Sequence, residues 1–393
     1  MIRLFPVSST SILLAFLAAC GTDTADTADT GEDTDTGEDT DTGEDTDTGE
    51  DTDTGEDTGT QADIAVLGDW VDNWGSAHAV SNEAWLSMGS SYEITQYDNA
   101  LGHAIAENGA DNDWNPGLWS RFDWGWAGGE LLYCQTAYDA ATEAAALATP
   151  AADLSSPSTG CGGFSWSVLR APFVLTDGWD DSWGGTHWID AFTWQSWGDR
   201  FAITDNEPSQ YRLIAQNGAD NSYNPDLWSR FDWTVGDAGS IYYCQTAYAA
   251  ASEADALATP RADDGDLAGG CGGFSWTELR SMLSINGEWA DNSGGTHSIN
   301  AFAWTNGTSR YDISQATDVD GWLIAQNAET NAWSPSLWSR FDWTWDSGGT
   351  LWYCQTAYAA VTEADALATP AADATDPATS GCGGFSWTSM AAP

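Results

Sequence analysis

The chain of 393 residues repeats one unit of about 110 residues three times. The stretch WSRFDW stands at 119–124, 228–233 and 338–343, and GCGGFSW stands at 160–166, 270–276 and 381–387. This period is too long for a solenoid repeat, whose units have about 20–50 residues, and it has the size of a small independent domain. The sequence therefore predicts three tandem domains, at 66–172, 173–282 and 283–393.

Each copy consists mostly of strand-like segments. In copy three, HSINAFAW, SRYDISQ, GWLIAQN, LWSRFDWTW and TLWYCQ are short, rich in aromatic and β-branched residues, and separated by Gly, Asn, Asp and Pro. The Ala-, Glu- and Leu-rich segment 136–150 ends at a proline and predicts a helix of about three turns. We expect a β-rich (α+β) fold in which six or seven strands per copy form a small β-sandwich or barrel with one short helix.

Two cysteines in every copy predict one disulfide per domain. Their separations are 27, 27 and 28 residues. Even cysteine numbers in an exported protein indicate disulfides, and a bridge between copies would leave one cysteine unpaired at each end of the array. The predicted pairs are Cys134–Cys161, Cys244–Cys271 and Cys354–Cys382. Zinc is the alternative, since each copy also has a histidine, but the C-x₂₋₄-C spacing typical of zinc sites is missing.

The first 20 residues, MIRLFPVSSTSILLAFLAAC, indicate export. One positive charge precedes the apolar run 12–19, which is too short to span a bilayer. The ending Leu17-Ala18-Ala19-Cys20 resembles the lipobox of bacterial lipoproteins. The resemblance implies a signal peptide at 1–19, acylation of Cys20 including palmitate, and, because Gly21 follows rather than Asp, attachment to the outer membrane. The alternative is an ordinary secretory signal.

Residues 20–65 form a repetitive acidic segment built from TDTGED units. Such a segment has almost nothing apolar to bury, so we expect a disordered tether between the lipidated cysteine and the first domain. A divalent-cation sponge is the alternative interpretation. The whole chain has a formal charge of −50, with ten Arg and Lys residues together. This charge argues against a nucleic-acid partner and against adsorption to anionic lipid.

No familiar catalytic spacing is present in the sequence: G-x-S-x-G, H-E-x-x-H and P-loop motifs are all missing. His78, His187 and His297 recur in a glycine-rich segment, and we expect hydrogen-bonded structural histidines. Arg340 and Asp342 fall on one strand face and predict an ion pair. The loop at 108–116 has the acid and amide spacing of a calcium loop, but its ligands change in the other copies, so no metal and no cofactor are predicted.

Tryptophan is the strongest compositional signal, with 25 residues. Fifteen occupy five triplicated positions and are expected in the core or on sheet faces. Trp114 and Trp333 align with Tyr223 in a loop of polar turn formers, where an aromatic is either folded onto the core or exposed for stacking. We predict a non-catalytic binding or adhesion protein that uses these three residues for an extracellular polysaccharide or other polymer. A secreted hydrolase and a structural coat protein are the alternatives.

Overall fold

The computed structural model describes residues 62–236 and 239–393. Each copy forms a closed barrel of eight antiparallel strands, in which chain neighbours pair and the last strand pairs with the first. Between the two expected architectures, sandwich and barrel, the fold is therefore the barrel. The signal peptide 1–19, Cys20 and nearly all of the acidic segment lie outside the described residues. Ile64 is already buried in the core of barrel one, and its N–H donates to Asn82 Oδ1 (2.9 Å).

The three barrels contain matching elements. Barrel one consists of β1 Gly68–Asp72, β2 Ala77–Val80, β3 Ala84–Ser87, β4 Ser90–Asp98, β5 His103–Asn108, β6 Trp119–Ala127, β7 Glu130–Ala140, α1 Glu143–Leu147 and β8 Ser167–Arg170. Barrel two consists of β9 Asp177–Asp181, β10 Thr186–Ile189, β11 Thr193–Ser196, β12 Asp199–Glu207, a 3₁₀ turn Pro208–Gln210, β13 Arg212–Asn217, β14 Trp228–Val235, β15 Ile241–Ala250, α2 Glu253–Ala258 and β16 Thr277–Ser281. Barrel three consists of β17 Gly287–Asp291, β18 Thr296–Ile299, β19 Ala303–Asn306, β20 Ser309–Thr317, β21 Trp322–Asn327, β22 Trp338–Trp345, β23 Leu351–Ala360, α3 Glu363–Leu367 and β24 Thr388–Ala391.

The expectation of six or seven strands is too low because the segment HSINAFAW is two strands. It breaks at Asn300, whose Oδ1 accepts hydrogen bonds from the N–H groups of Phe302 (2.9 Å) and Ala303 (2.8 Å). An asparagine side chain that bonds the backbone ahead of it forms a tight turn. The chain therefore reverses between β18 and β19.

The prediction of a three-turn helix over 136–150 is wrong in its first half. Strand β7 continues to Ala140, with Ala137 paired opposite Arg121 on β6. Helix α1 begins only after Thr142, whose side chain accepts from the N–H of Ala145. Helix propensity is a weak preference that sheet pairing overrides, so the alanine-rich start of the segment extends the strand.

Stacked aromatic side chains fill the interior of each barrel. In barrel one, Trp85 stacks on Phe122 with ring centroids 4.6 Å apart, and Tyr133 packs beside Trp85. The matching pairs Trp194–Phe231 and Trp304–Phe341 are 4.5 Å and 4.6 Å apart. An eight-stranded barrel is just wide enough for side chains to fill it. The triplicated tryptophans of this set are core residues, as expected.

An outer layer covers one wall of each barrel and contains the disulfide. Leu132 and Cys134 point outward from β7 and pack with Trp166, which lies on the segment leading into β8. The structure pairs the cysteines as the repeat predicts: Cys134–Cys161, Cys244–Cys271 and Cys354–Cys382. Since every one of these cysteines is bonded, the zinc alternative is excluded for them.

An arginine at the end of each of the first two barrels reaches the next barrel. Arg170, the last residue of β8, donates from Nη1 to the carbonyl of Ile203 (2.8 Å), and its guanidinium carbon lies 4.6 Å from the ring centre of Phe192. Arg280 repeats the contact with the carbonyl of Ile313 (2.7 Å) and the ring of Phe302 (4.3 Å). The two junctions are therefore built in the same way.

Copies one and three each lack one of the two junction residues that copy two has. Ala391 of barrel three occupies the register position of Arg170, and Glu83 of barrel one occupies the sequence position of Phe192. The second junction has one further contact: buried Asp180 accepts from Asn286 Nδ2 and from the N–H of Ala301 (2.7 Å). Burial raises the pKa of Asp180, although these two hydrogen bonds oppose the shift.

Candidate binding surfaces

The triplicated histidine belongs to a buried network. In barrel two, Trp194 Nε1 donates to His187 Nδ1 (3.0 Å), which leaves the proton on Nε2, 3.0 Å from Asp181 Oδ2. Burial would raise the pKa of Asp181, but hydrogen bonds from His187 and from the N–H groups of Gly185 and Trp183 outweigh it, and the pKa lies below its usual value. Both ring nitrogens are engaged, so the histidine is structural, as the sequence predicts.

The equivalent networks have the same geometry. His78 lies 3.3 Å from Asp72, and His297 lies 3.1 Å from Asp291. Burial lowers the pKa of His78 below 6.5, against the opposing influence of Asp72. Burial also raises the pKa of Tyr353, which packs on His297, to about 12. A buried imidazole with both ring nitrogens hydrogen-bonded in this way has no path to an external substrate.

The predicted Arg–Asp pair is also confirmed, and it attaches the helix to the barrel. Arg340 donates from Nε and Nη2 to Asp342 Oδ1 (3.0 and 2.8 Å), and from Nη1 to the carbonyl of Leu367 at the end of α3 (3.1 Å). Asp342 Oδ2 accepts from the hydroxyl of Thr356 (2.7 Å). The pair is buried and hydrogen-bonded to both the neighbouring strand and the helix, which marks it as a structural element.

The loop between β5 and β6, with its counterparts, carries Trp114, Tyr223 and Trp333. Two buried asparagines hold it. Asn108 Nδ2 donates to the carbonyls of Asn115 and Tyr138 (both 2.9 Å), and Asn112 pairs through its side chain with both backbone groups of Ser91. The same bonds recur in the other barrels from Asn217 and Asn221 and from Asn327 and Asn331.

The aromatic side chains on this loop point into solvent. The exposed fractions are 81% for Trp114, 79% for Tyr223 and 85% for Trp333. The next residue has a positive φ in every copy, including 48° at Ser334, a conformation that is costly for a residue with a Cβ. The alternative in which these aromatics fold onto the core is therefore wrong. Each ring is exposed on a loop that buried asparagine side chains hold in place.

Neighbouring loops at the same end of the barrel add further apolar side chains. Alternate connections of an up-and-down barrel lie at one end, so the β1–β2 and β3–β4 loops lie beside the aromatic loop. They expose Trp74 and Met88, and Ser76 bridges the two loops with a hydroxyl 3.2 Å from Met88 Sδ. Copy two exposes Trp183 and Trp197 at these positions, whereas copy three has Ser293 and Gly307.

The motif GCGGFSW folds into a hairpin that a disulfide attaches to strand β7 or its counterpart. Its first glycine, Gly160, is required because a Cβ there would lie 1.9 Å from the carbonyl of Asp153. Gly162 and Gly163 form the turn with φ of 60° and 97°, so that Cys161 and Phe164 pair across it. Trp166 Nε1 donates to the Asp153 carbonyl (3.0 Å).

Sequence reasoning missed the phenylalanine of this motif. Phe164, Phe274 and Phe385 are 75%, 77% and 77% exposed, whereas the tryptophan two positions later in the motif is buried. The tyrosine of YCQTAY, at Tyr138, Tyr248 and Tyr358, is also more exposed than buried. The repeat itself could have indicated these exposed residues. A large apolar side chain next to Gly-Gly recurs in every copy, and the residues around it show no hydrophobic periodicity that would predict its burial.

Metal binding finds no support in the geometry of the acidic loop. Within the described part of the chain, no group of three or more His, Cys, Asp or Glu side chains is placed to hold a metal ion. In copy one, Asn112 is committed to Ser91 rather than free to act as a ligand.

No family model, no curated protein and no solved structure matches this chain. Over residues 62–236 and 239–393, none of the helices has the length and apolar character needed to cross a bilayer.

Proposed function

We propose that this chain is a lipoprotein, anchored to the outer membrane through Cys20, whose three barrels are non-catalytic binding domains for an extracellular polymer such as a polysaccharide. One observation carries the proposal: every barrel exposes an aromatic ring on the same anchored loop. Exposed aromatics are costly in solubility and are enriched where proteins bind partners. An exposed ring recurs at Trp114, Tyr223 and Trp333 on a loop held by buried hydrogen bonds, and this recurrence favours a role in contacting a ligand.

The rigidity of the loop supports binding rather than accidental exposure. Asn108 and Asn112 fix the backbone on both sides of Trp114, so little conformational freedom is lost when a ligand contacts the ring. Preorganisation of this kind improves affinity by reducing the entropy cost of association. A strained backbone maintained in three copies is consistent with a functional loop.

Charge narrows the class of polymer. With a formal charge of −50, the chain repels polyanions. A neutral or cationic polymer fits, whereas nucleic acid does not. The recurring His, Arg and Asp residues, which a hydrolase could have used, are buried in structural networks, and this favours binding over catalysis.

Because the chain has three copies, weak binding of a polymer by each barrel is enough for high overall affinity. Each exposed ring offers a shallow surface that excludes little water. Once one barrel has bound a polymer, the remaining contacts become intramolecular, and overall avidity rises by about 10²–10⁴ where the geometry allows.

The binding test uses the full chain and the immobilised polymers cellulose, chitin, starch and chitosan. We expect retention on at least one polymer, a partial loss in each of W114A, Y223A and W333A, and a loss of more than about tenfold in the triple variant, with an unchanged melting temperature. Trp126, exposed near the end of β6 at the other end of barrel one, supplies the control W126A, which should bind normally. Normal binding by the triple variant contradicts the proposal.

The anchoring test concerns Cys20. Intact mass of the mature protein should show a chain beginning at residue 20 with added diacylglycerol and acyl chains, and C20A should lose partition into detergent. A mature mass without lipid contradicts the anchor while leaving the binding proposal intact.

A further inference from the structure

A cleft lies on the outer wall of barrel three, beside the disulfide. Its lining includes the aromatic residues Phe385 and Tyr358, together with Cys382, Gln355 and Thr356. Its volume is about 390 Å³. Ligand sites commonly occupy about 300–1,000 Å³, so this cleft has room for one or two sugar rings.

The walls of the cleft are fixed in place. The disulfide Cys354–Cys382 joins the hairpin that carries Phe385 to strand β23, which carries Tyr358. The carbonyl of Tyr358 also accepts from Asn327 Nδ2 (3.1 Å). Two largely exposed aromatic rings therefore line the cleft on segments that a disulfide and a buried hydrogen bond hold in place.

The same lining residues recur in the other two copies. Copy one has Tyr138 and Phe164 with an identical set of residues between them, and copy two has Tyr248 and Phe274 with one difference, Arg261 in place of Ala371. Core packing explains why buried residues recur at the same positions in all three copies. It does not explain why two exposed aromatic residues also recur in all three.

The chemistry of the lining selects the ligand. The lining residues in copy three are uncharged: two aromatics, Gln355, two threonines, a proline and small residues. Aromatic faces suit a flat, partly apolar ring, while the amide and hydroxyl groups suit its polar edges. A neutral pyranose has both features, and the acidic character of the whole chain disfavours an anionic sugar.

We propose that each barrel has a second binding site, the cleft lined by Tyr358 and Phe385 and its two counterparts, and that it takes one or two neutral sugar rings. This site is separate from the loop aromatics Trp114, Tyr223 and Trp333. It can exist whether or not those residues bind a polymer.

The experiment titrates the full, oxidised chain with maltohexaose, cellohexaose and chitohexaose, and with glucose and N-acetylglucosamine, by calorimetry. We expect saturable binding of at least one oligosaccharide. The triple variant F164A/F274A/F385A should bind it at least about tenfold more weakly, since loss of a central aromatic anchor costs more than about 1.4 kcal/mol, a factor of ten. Binding of the matching monosaccharide would place a single ring in the cleft; binding of the hexaose alone would place two.

A second variant guards against loss of folding. Ala371 is an exposed lining residue, so A151E/A371E adds a carboxylate to the clefts of copies one and three without removing packing; Arg261, at this position in copy two, pairs with Asp264 and lies over the Tyr211 ring, so it is left unchanged. It should also weaken binding while the melting temperature stays unchanged. The loop variant W114A/Y223A/W333A should retain oligosaccharide binding in the cleft.

Three results overturn the proposal. They are no binding of any of the five probes by the wild-type chain, unchanged binding in both cleft variants, and loss of binding in the loop variant alone. The last result would instead support the polymer site on the loops, and a chain that binds oligosaccharide but not immobilised polymer would contradict only that loop proposal.

Discussion

Substitution of Asn327 should release the loop that presents Trp333. The side chain of Asn327 is buried and makes three hydrogen bonds: Nδ2 to the carbonyls of Ser334 (2.8 Å) and Tyr358 (3.1 Å), and Oδ1 from the hydroxyl of Ser339 (2.7 Å). A net contribution of about 0.5–1.5 kcal/mol for each bond gives roughly 1.5–4.5 kcal/mol for N327A.

The neighbouring residue offers a matched control. Gln326 reaches the same loop from the same strand, but it is exposed and makes a single bond of 3.2 Å to the carbonyl of Ser336. Its removal should cost within about 0.5 kcal/mol, as surface substitutions usually do. The two variants therefore compare a buried anchor with an exposed one on one loop.

Hydrogen exchange of the segment 328–337 measures the difference. The N–H groups of Ser336 and Leu337 bond within the anchored region, to the carbonyls of Asn327 and Ser334. Because one of the three bonds goes to this loop and 1.4 kcal/mol is a factor of ten, these amides should exchange about two- to tenfold faster in N327A and at nearly the wild-type rate in Q326A. Equal exchange in the two variants would refute the claim that Asn327 holds the loop.

Three further predictions concern stability. C354A/C382A should destabilise barrel three by about 3.5 kcal/mol in urea unfolding, because the bridge closes a 28-residue separation; an unchanged midpoint would contradict this. R280A should lose about 2–3 kcal/mol of coupling between barrels two and three, from a charged hydrogen bond and a cation–π contact, and limited proteolysis should cut the connection faster than in the control R261A. The pKa of His78 is lowered in the folded state, so the unfolded chain binds the proton first as pH falls below about 6.5. Barrel one should therefore lose stability between about pH 7.5 and 5.5, and the loss should be less steep in H78Q. Parallel pH profiles of the two proteins would show that the histidine does not contribute.

The repeat made the domain architecture and the disulfides predictable. Pairing inside each copy is the scheme that repeats in all three copies and leaves no cysteine unpaired. The alternation in WSRFDW places Arg340 and Asp342 together on one face of the strand. The strand count was harder to predict. HSINAFAW contains a turn made by one asparagine side chain, and a side-chain hydrogen bond of this kind has no signature in hydrophobic periodicity.

The candidate sites were predictable only in part. The polar setting of Trp114 raised the two possibilities, buried or exposed, and only the fold decides between them: the loop held by Asn108 and Asn112 leaves the ring 81% exposed. The role of Phe385 depends on a hairpin whose orientation is fixed by a disulfide and by the close approach of Gly381 to the carbonyl of Asp373. Contacts between segments far apart in sequence determine exposure there, and residue type alone does not.

The asymmetric junctions limit how such an array can lengthen. Copy two alone has both Phe192, which receives an arginine, and Arg280, which contacts the next barrel. A gene duplication of copy two would insert a barrel that joins correctly on both sides. Duplication of copy three would place Ala391 where an arginine is needed, and duplication of copy one would place Glu83 where a phenylalanine is needed. Growth of the array by whole copies is therefore compatible with the existing junctions only through duplication of copy two.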